Sequence, residues 1–121
     1  MPPGLSTTAA NALLSSLAAT YTWIQLHLGQ PGANGTANLA VETTRKQATW
    51  AAPSGGLLTN SAELLWTAVA ASEDYAFFTA WTVSSGGTFG FSGTVTADAV
   101  TVGNNFRAPV GALDVTLVLA S

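Results

Sequence analysis

Asp74-Tyr75-Ala76-Phe77-Phe78-Thr79-Ala80-Trp81-Thr82-Val83 runs into Ser84-Ser85-Gly86-Gly87, and then into Thr88-Phe89-Gly90-Phe91-Ser92-Gly93-Thr94-Val95-Thr96. Aromatic and β-branched residues fill both flanks, and the centre is a Gly-Gly turn. This pattern predicts two antiparallel strands joined as a hairpin. Side chains alternate along a strand, so Phe89 and Phe91 should point inward and Gly90, Ser92 and Thr94 outward.

The same period of two extends in both directions from the hairpin. Toward the C-terminus, Leu113, Val115, Leu117 and Leu119 alternate with Asp114, Thr116 and Val118. That face is expected to pack against Phe89, Phe91 and the strand of Ile24 and Leu26. Toward the N-terminus, Ile24, Leu26 and Leu28 alternate with Trp23, Gln25 and His27, and residues 29–35 form a long Gly/Pro/Asn turn. Arg45 to Ala51 reads as a strand stopped by Pro53-Ser54-Gly55-Gly56. In Ala62 to Val69, Leu65, Thr67 and Val69 share one face and Leu64, Trp66 and Ala68 the other. Trp23 and Trp66 both lie opposite the clearest aliphatic faces, which makes them candidates for exposed or interface positions.

Only the first twenty residues depart from this period. Ser6 and Thr7 are good helix caps, and Leu13, Leu14 and Leu17 follow as an apolar stripe in a helical segment over 6–19. No crossover helix separates the strands, which argues against a parallel sheet. The expected fold is mainly β: a single antiparallel β-sandwich domain over 1–121, jelly-roll-like, with one short N-terminal helix.

Charge sets the functional classes. Lys and Arg number 3, Asp and Glu 6, in 121 residues, so 7% of the chain is charged, against about 25% in an ordinary soluble domain. Charged groups normally keep copies of a protein apart. A surface of Thr, Ser, Asn, Gly and Ala suits a protein that sits in an assembly, held by apolar and backbone contacts that salt does not screen. A net charge of −3 with only Arg45-Lys46 adjacent argues against nucleic acid. No apolar run approaches the roughly 18 residues of a membrane span, and Met1-Pro2-Pro3-Gly4 lacks the basic residue of a secretory leader.

The chain offers little for catalysis. His27 is the one histidine and there is no cysteine, so a multi-histidine or thiolate metal site is excluded. His27 is read as a half-exposed strand residue beside Trp23, without an acid or nucleophile near it. No serine stands in G-x-S-x-G. Ser54-Gly55-Gly56 and Ser85-Gly86-Gly87 precede no helix, so they are turns and not phosphate cradles. Glu73 and Asp74 are adjacent and would point to opposite faces of a strand. Asn34-Gly35-Thr36 is more simply a turn than a glycosylation site. Trp23, Trp50, Trp66 and Trp81 could form a sugar platform, with core packing as the plainer reading. No catalytic residue, metal or cofactor is expected.

The order of segments resembles a known group. Trp23-Ile24-Gln25-Leu26-His27-Leu28-Gly29-Gln30-Pro31-Gly32 is similar to the "L-H-T-G-D-P-G" segment of small virion proteins of tailed bacteriophages, common among phages of actinobacterial hosts. Further landmarks are Gly35-Thr36-Ala37-Asn38, Arg45 to Gly56, Thr59-Asn60-Ser61-Ala62, Phe78-Thr79-Ala80-Trp81, Ser85 to Phe89, and Gly111 to Leu117. The sequence departs from the pattern at Leu28 and Gln30, where Thr and Asp are usual. The resemblance implies a non-enzymatic virion structural protein, made in the bacterial host cytoplasm and placed on the outer surface of the particle. It implies a tail-fibre or minor tail component first. A capsid decoration protein is the alternative, and a carbohydrate-binding host-recognition module the third reading. Implied partners are other virion proteins, of the tail or the major capsid, and copies of itself.

The candidate interface lies mainly at the N-terminus. Pro2, Pro3 and Leu5 belong to a stretch expected to be extended, and Leu13, Leu14 and Leu17 to a helix with no charge on any face. A water-exposed helix normally carries charges on one side, so this one is expected either to be covered by the sandwich and by a neighbour or to serve as a cap over one open end of the β-core. Trp23 and Trp66 complete the set.

Overall fold

The computed structural model describes residues 4–96 and 99–116. Helix α1 (Thr7–Thr20) is followed by strands β1 (Trp23–His27), β2 (Lys46–Gln47), β3 (Leu57–Thr59) and β4 (Leu64–Trp66). The remaining strands are β5 (Phe77–Trp81), β6 (Phe89–Val95), β7 (Phe106–Ala108) and β8 (Leu113–Thr116). A six-stranded sheet has the order β2-β1-β5-β6-β8-β3, and β4 and β7 form a separate pair. Every pairing is antiparallel. The fold is mainly β and sandwich-like with one helix, its strands divided six and two.

β5 and β6 form the hairpin that their sequence predicts, and they lie at the centre of the larger sheet. Phe77 faces Thr94 and Trp81 faces Phe89, with a register irregularity between Ala80 and Trp81. Phe91 packs edge-on against Tyr21 and Phe78, and Phe89 lies tilted against Trp81. β6 also carries a steric constraint. A side chain at Gly93 would come within 2.3 Å of the Asp114 carbonyl oxygen and 2.7 Å of the Phe78 ring. The bare backbone of Gly93 is what allows β8 to pair closely with β6.

The helix starts where the sequence places it. The Ser6 hydroxyl accepts a hydrogen bond from the Ala9 N–H at 3.1 Å, capping the first turn. Ala10 and Leu14 are fully buried, and Asn11 accepts the Gly56 N–H at 3.1 Å, tying α1 to the β3 turn. That turn is a two-residue hairpin in which Gly55 and Gly56 both have positive φ, as its geometry requires.

Three strand expectations need correction. Arg45 to Ala51 is a strand only at Lys46–Gln47; beyond it the chain turns to meet residues 59–61 through the Trp50–Asn60 bridge. In β4 it is Leu64 and Trp66 that face inward, while Leu65 faces out. Ala68 takes a left-handed backbone, φ 49°, and this resets the alternation so that Val69 is buried after all. β1 is covered on both faces, so the expected half-exposed His27 is fully buried. In β8, Leu113 and Val115 are buried as expected; Leu117 and Leu119 lie outside the described residues.

Candidate interaction surface

α1 lies on the sheets with Ala10 and Leu14 inward and Leu17 half-buried against the core. Leu13 is 49% exposed. At about 100° per residue it stands on the flank of the buried stripe. Thr8, Ala12, Ser15, Ser16 and Ala19 are exposed as well, so the outer face of α1 is uncharged and carries one large apolar side chain.

On the opposite flank of α1 lies an open groove of about 670 Å³. Ser15, Ala18 and Ala19 form one wall, and Gln47 to Pro53 the other. Trp50 lies in this second wall. Its indole N–H donates to the Tyr21 carbonyl at 3.1 Å, and its ring packs on Phe78 and Phe91 with centroids 6.1 and 5.8 Å away. The ring is therefore held in one orientation. No charged residue lines the groove.

The interface residues suggested by sequence separate into different environments. Leu13 is accessible. Leu5, Leu17 and Trp23 are half-buried. Leu14 and Trp66, expected at an interface, are instead completely enclosed by their own chain. Leu14 points into the core as the central residue of the helix's buried stripe. Trp66 packs on Phe106 at 5.8 Å and donates its indole N–H to the Thr44 carbonyl at 2.7 Å. Pro2 and Pro3 lie outside the described residues. Trp50 is one of the four tryptophans that the sequence offers as a sugar platform; it is half-buried, and its neighbours in sequence, Ala48, Thr49, Ala51 and Ala52, are small.

His27 is part of a buried polar chain. Trp81 can only donate, so its indole N–H gives a hydrogen bond to the Thr79 hydroxyl at 2.7 Å. Thr79 can then donate to His27 Nε2 at 2.9 Å, and His27 Nδ1–H donates to the Ala37 carbonyl at 2.9 Å. The Ala37 carbonyl can only accept, so Nδ1 carries a proton, and Nε2 is the acceptor in the neutral imidazole. Burial lowers the His27 pKa from its ordinary 6.5, and the bond to Ala37 opposes that only in part. The unfolded chain therefore binds a proton near pH 6.5 that the folded chain does not. Stability is complete above that pH and falls below it, by at most about 1.4 kcal/mol per pH unit. The melting temperature should drop between pH 7.5 and 5.5 and be flat over the same range in His27→Gln. A flat wild-type profile would show that the imidazole titrates freely in the fold.

Other candidate groups are occupied structurally. Both carboxylate oxygens of Glu73 accept the Val41 N–H, at 3.1 and 2.9 Å, and one accepts the Glu42 N–H at 3.3 Å. Arg45 lies over the Trp81 ring at 4.3 Å and donates to the Val83 and Gly86 carbonyls. Arg107 pairs with Glu63 at 2.8 Å in an exposed position, where such a pair adds little. Among the described residues no three His, Cys, Asp or Glu side chains gather as a metal site, and no helix is long and apolar enough to cross a membrane.

Fold and surface together define a class: a small, mainly β module whose helix face and adjoining groove are free of charge. A family model described as podophage GP4 fiber I protein gp80 matches residues 4–116, and the chain belongs to that family. The match reaches the level of a phage fibre protein and is not to the actinobacterial-phage group that the Trp23–Gly32 segment resembles. No curated protein matches the chain.

Proposed function

We propose that this chain is a non-enzymatic structural component of a tailed-phage virion, a tail-fibre or minor tail protein on the outer surface of the particle. Membership of a phage fibre family supports this reading most directly. The scarcity of charge and the uncharged outer face of α1 fit a subunit held by apolar and backbone contacts to other virion proteins or to its own copies. Its partners in this reading do not include nucleic acid or a membrane.

Attachment runs through the flank of α1 that carries Leu13. Deleting the helix would not test this, because Ala10 and Leu14 belong to the core. Leu13→Asp changes only an exposed position and should leave the melting temperature within about 2 °C of wild type, since surface changes rarely exceed ~0.5 kcal/mol. The same variant should fail to join particles in a complementation assay. Normal incorporation would remove Leu13 from the interface. Quantification of the protein in purified virions tests the location independently: a small number of copies agrees with the tail, while hundreds would place it on the capsid as a decoration protein. Bound protein should also resist release as salt is raised to about 1 M, because there is little charge to screen.

A further inference from the structure

We propose that the groove between α1 and the Gln47–Pro53 segment is a binding site for a neutral saccharide, with Trp50 as its stacking platform. The proposal stands apart from the fibre reading and concerns the flank of α1 away from Leu13. Ser15 lies about 200° round the helix from Leu13, so the two surfaces can be tested separately.

The groove's volume, about 670 Å³, is in the range of small-molecule sites, which hold roughly 300–1,000 Å³. Trp50 supplies an aromatic surface whose orientation is already fixed by the bond to Tyr21 and by Phe78 and Phe91. Little side-chain freedom is then lost on binding. Around the ring stand the Ser15 and Thr49 hydroxyls and the Gln47 amide. The hydroxyls make no hydrogen bond to the described residues, and the amide uses only one N–H, toward Thr22 at 3.3 Å. Sugars present the matching chemistry: C–H faces that pack on an aromatic ring, edged by hydroxyls that donate and accept.

What the groove lacks narrows the ligand further. Lys and Arg are absent from its lining, so sulfated, phosphorylated or uronic acid sugars would be desolvated without a counter-charge. An extended peptide is disfavoured for a different reason. Strand addition needs a continuous row of free main-chain groups, and along this wall the row is interrupted. The Ala48 N–H donates to Thr22, the Ala51 N–H to Thr59, and the Thr49 carbonyl accepts the Ser61 N–H.

The test is a titration of ¹⁵N-labelled protein with neutral oligosaccharides of hexose, N-acetylhexosamine and 6-deoxyhexose units, up to millimolar concentration. The expected result is movement of the Trp50 indole and Gln47 side-chain amide signals with at least one of them. Ala19→Leu fills the groove from an exposed helix position without touching the core, and should weaken that binding at least tenfold. Trp50→Phe, which keeps an aromatic ring in the core, should weaken it too. Absence of shifts across the panel overturns the proposal. So does binding that Ala19→Leu leaves intact, or tighter binding of a uronic acid oligomer or of an uncharged peptide at the same signals. Leu13→Asp should bind the saccharide as wild type does, which keeps this result independent of particle attachment.

Discussion

Trp66→Ala should lower the folding free energy by about 3–5 kcal/mol, the usual cost of emptying a large aromatic site in a core. The ring is fully buried, and the residues around it cannot easily close the gap. Phe106, 5.8 Å away, is itself held edge-on by Tyr75 at 4.7 Å. Both strands of the β4–β7 pair meet at this point, through the Trp66–Phe106 register. The indole also anchors an irregular stretch of chain through its bond to the Thr44 carbonyl. Trp66→Phe separates the two contributions, since it keeps most of the volume and loses the N–H donor. It should cost less than half as much. Urea unfolding measures both. A loss below about 1 kcal/mol for alanine would show that the ring is not a structural centre.

Gly93→Ala should be more damaging than its single added methyl suggests. The new carbon would stand 2.3 Å from a backbone oxygen of β8, which cannot swing aside as a side chain could. Relief requires β6 and β8 to separate, and β8 carries Leu113 and Val115 into the core. Overpacking of this kind costs about 1–3 kcal/mol or more, and here part of the six-stranded sheet is lost with it. The near-ultraviolet signal of the packed aromatics should weaken along with stability. Gly103→Ala is the comparison: its φ of 84° is unfavourable for alanine, but nothing lies within 4 Å of the added carbon. It should lose only about 1–2 kcal/mol from backbone strain. Equal effects at the two positions would mean that β6 and β8 do not approach as closely as the structure has them.

The hairpin, the helix and the mainly β class were legible because each depends on local chemistry. Ser6 caps α1, Gly55-Gly56 turns the chain, and aromatic alternation in β5 and β6 needs no distant partner to be recognised. The orientation of Trp66 was not legible, because one left-handed residue, Ala68, shifts the phase of a strand whose two faces are both apolar. Nor was the burial of His27: alternation assigns it the face opposite Ile24, but whether that face is covered depends on the 29–41 segment folding back over it. Leu14 and Leu13 illustrate the same limit within the helix. The stripe was visible, but its centre is set by what α1 rests on. Of the residues expected at an interface, Leu13 is accessible, while Leu14 and Trp66 are buried. Trp50 could be named only as one of four tryptophans of a possible sugar platform, because the groove beside it is made by two segments distant in sequence, 15–19 and 47–53.

Arg45 has one more consequence, for kinetics. The chain has 3 cationic side chains. Arg45 turns its guanidinium back onto Trp81 and the β5–β6 turn, and Arg107 is neutralised by Glu63. Lys46 alone is left to project positive potential outward. With a net charge of only −3, long-range steering is weak, and encounters with a partner should proceed near the unsteered rate of about 10⁵–10⁶ M⁻¹s⁻¹ with little dependence on ionic strength. How fast this molecule finds its place depends on how many copies surround it, and once it is seated the lifetime of the contact sets the affinity.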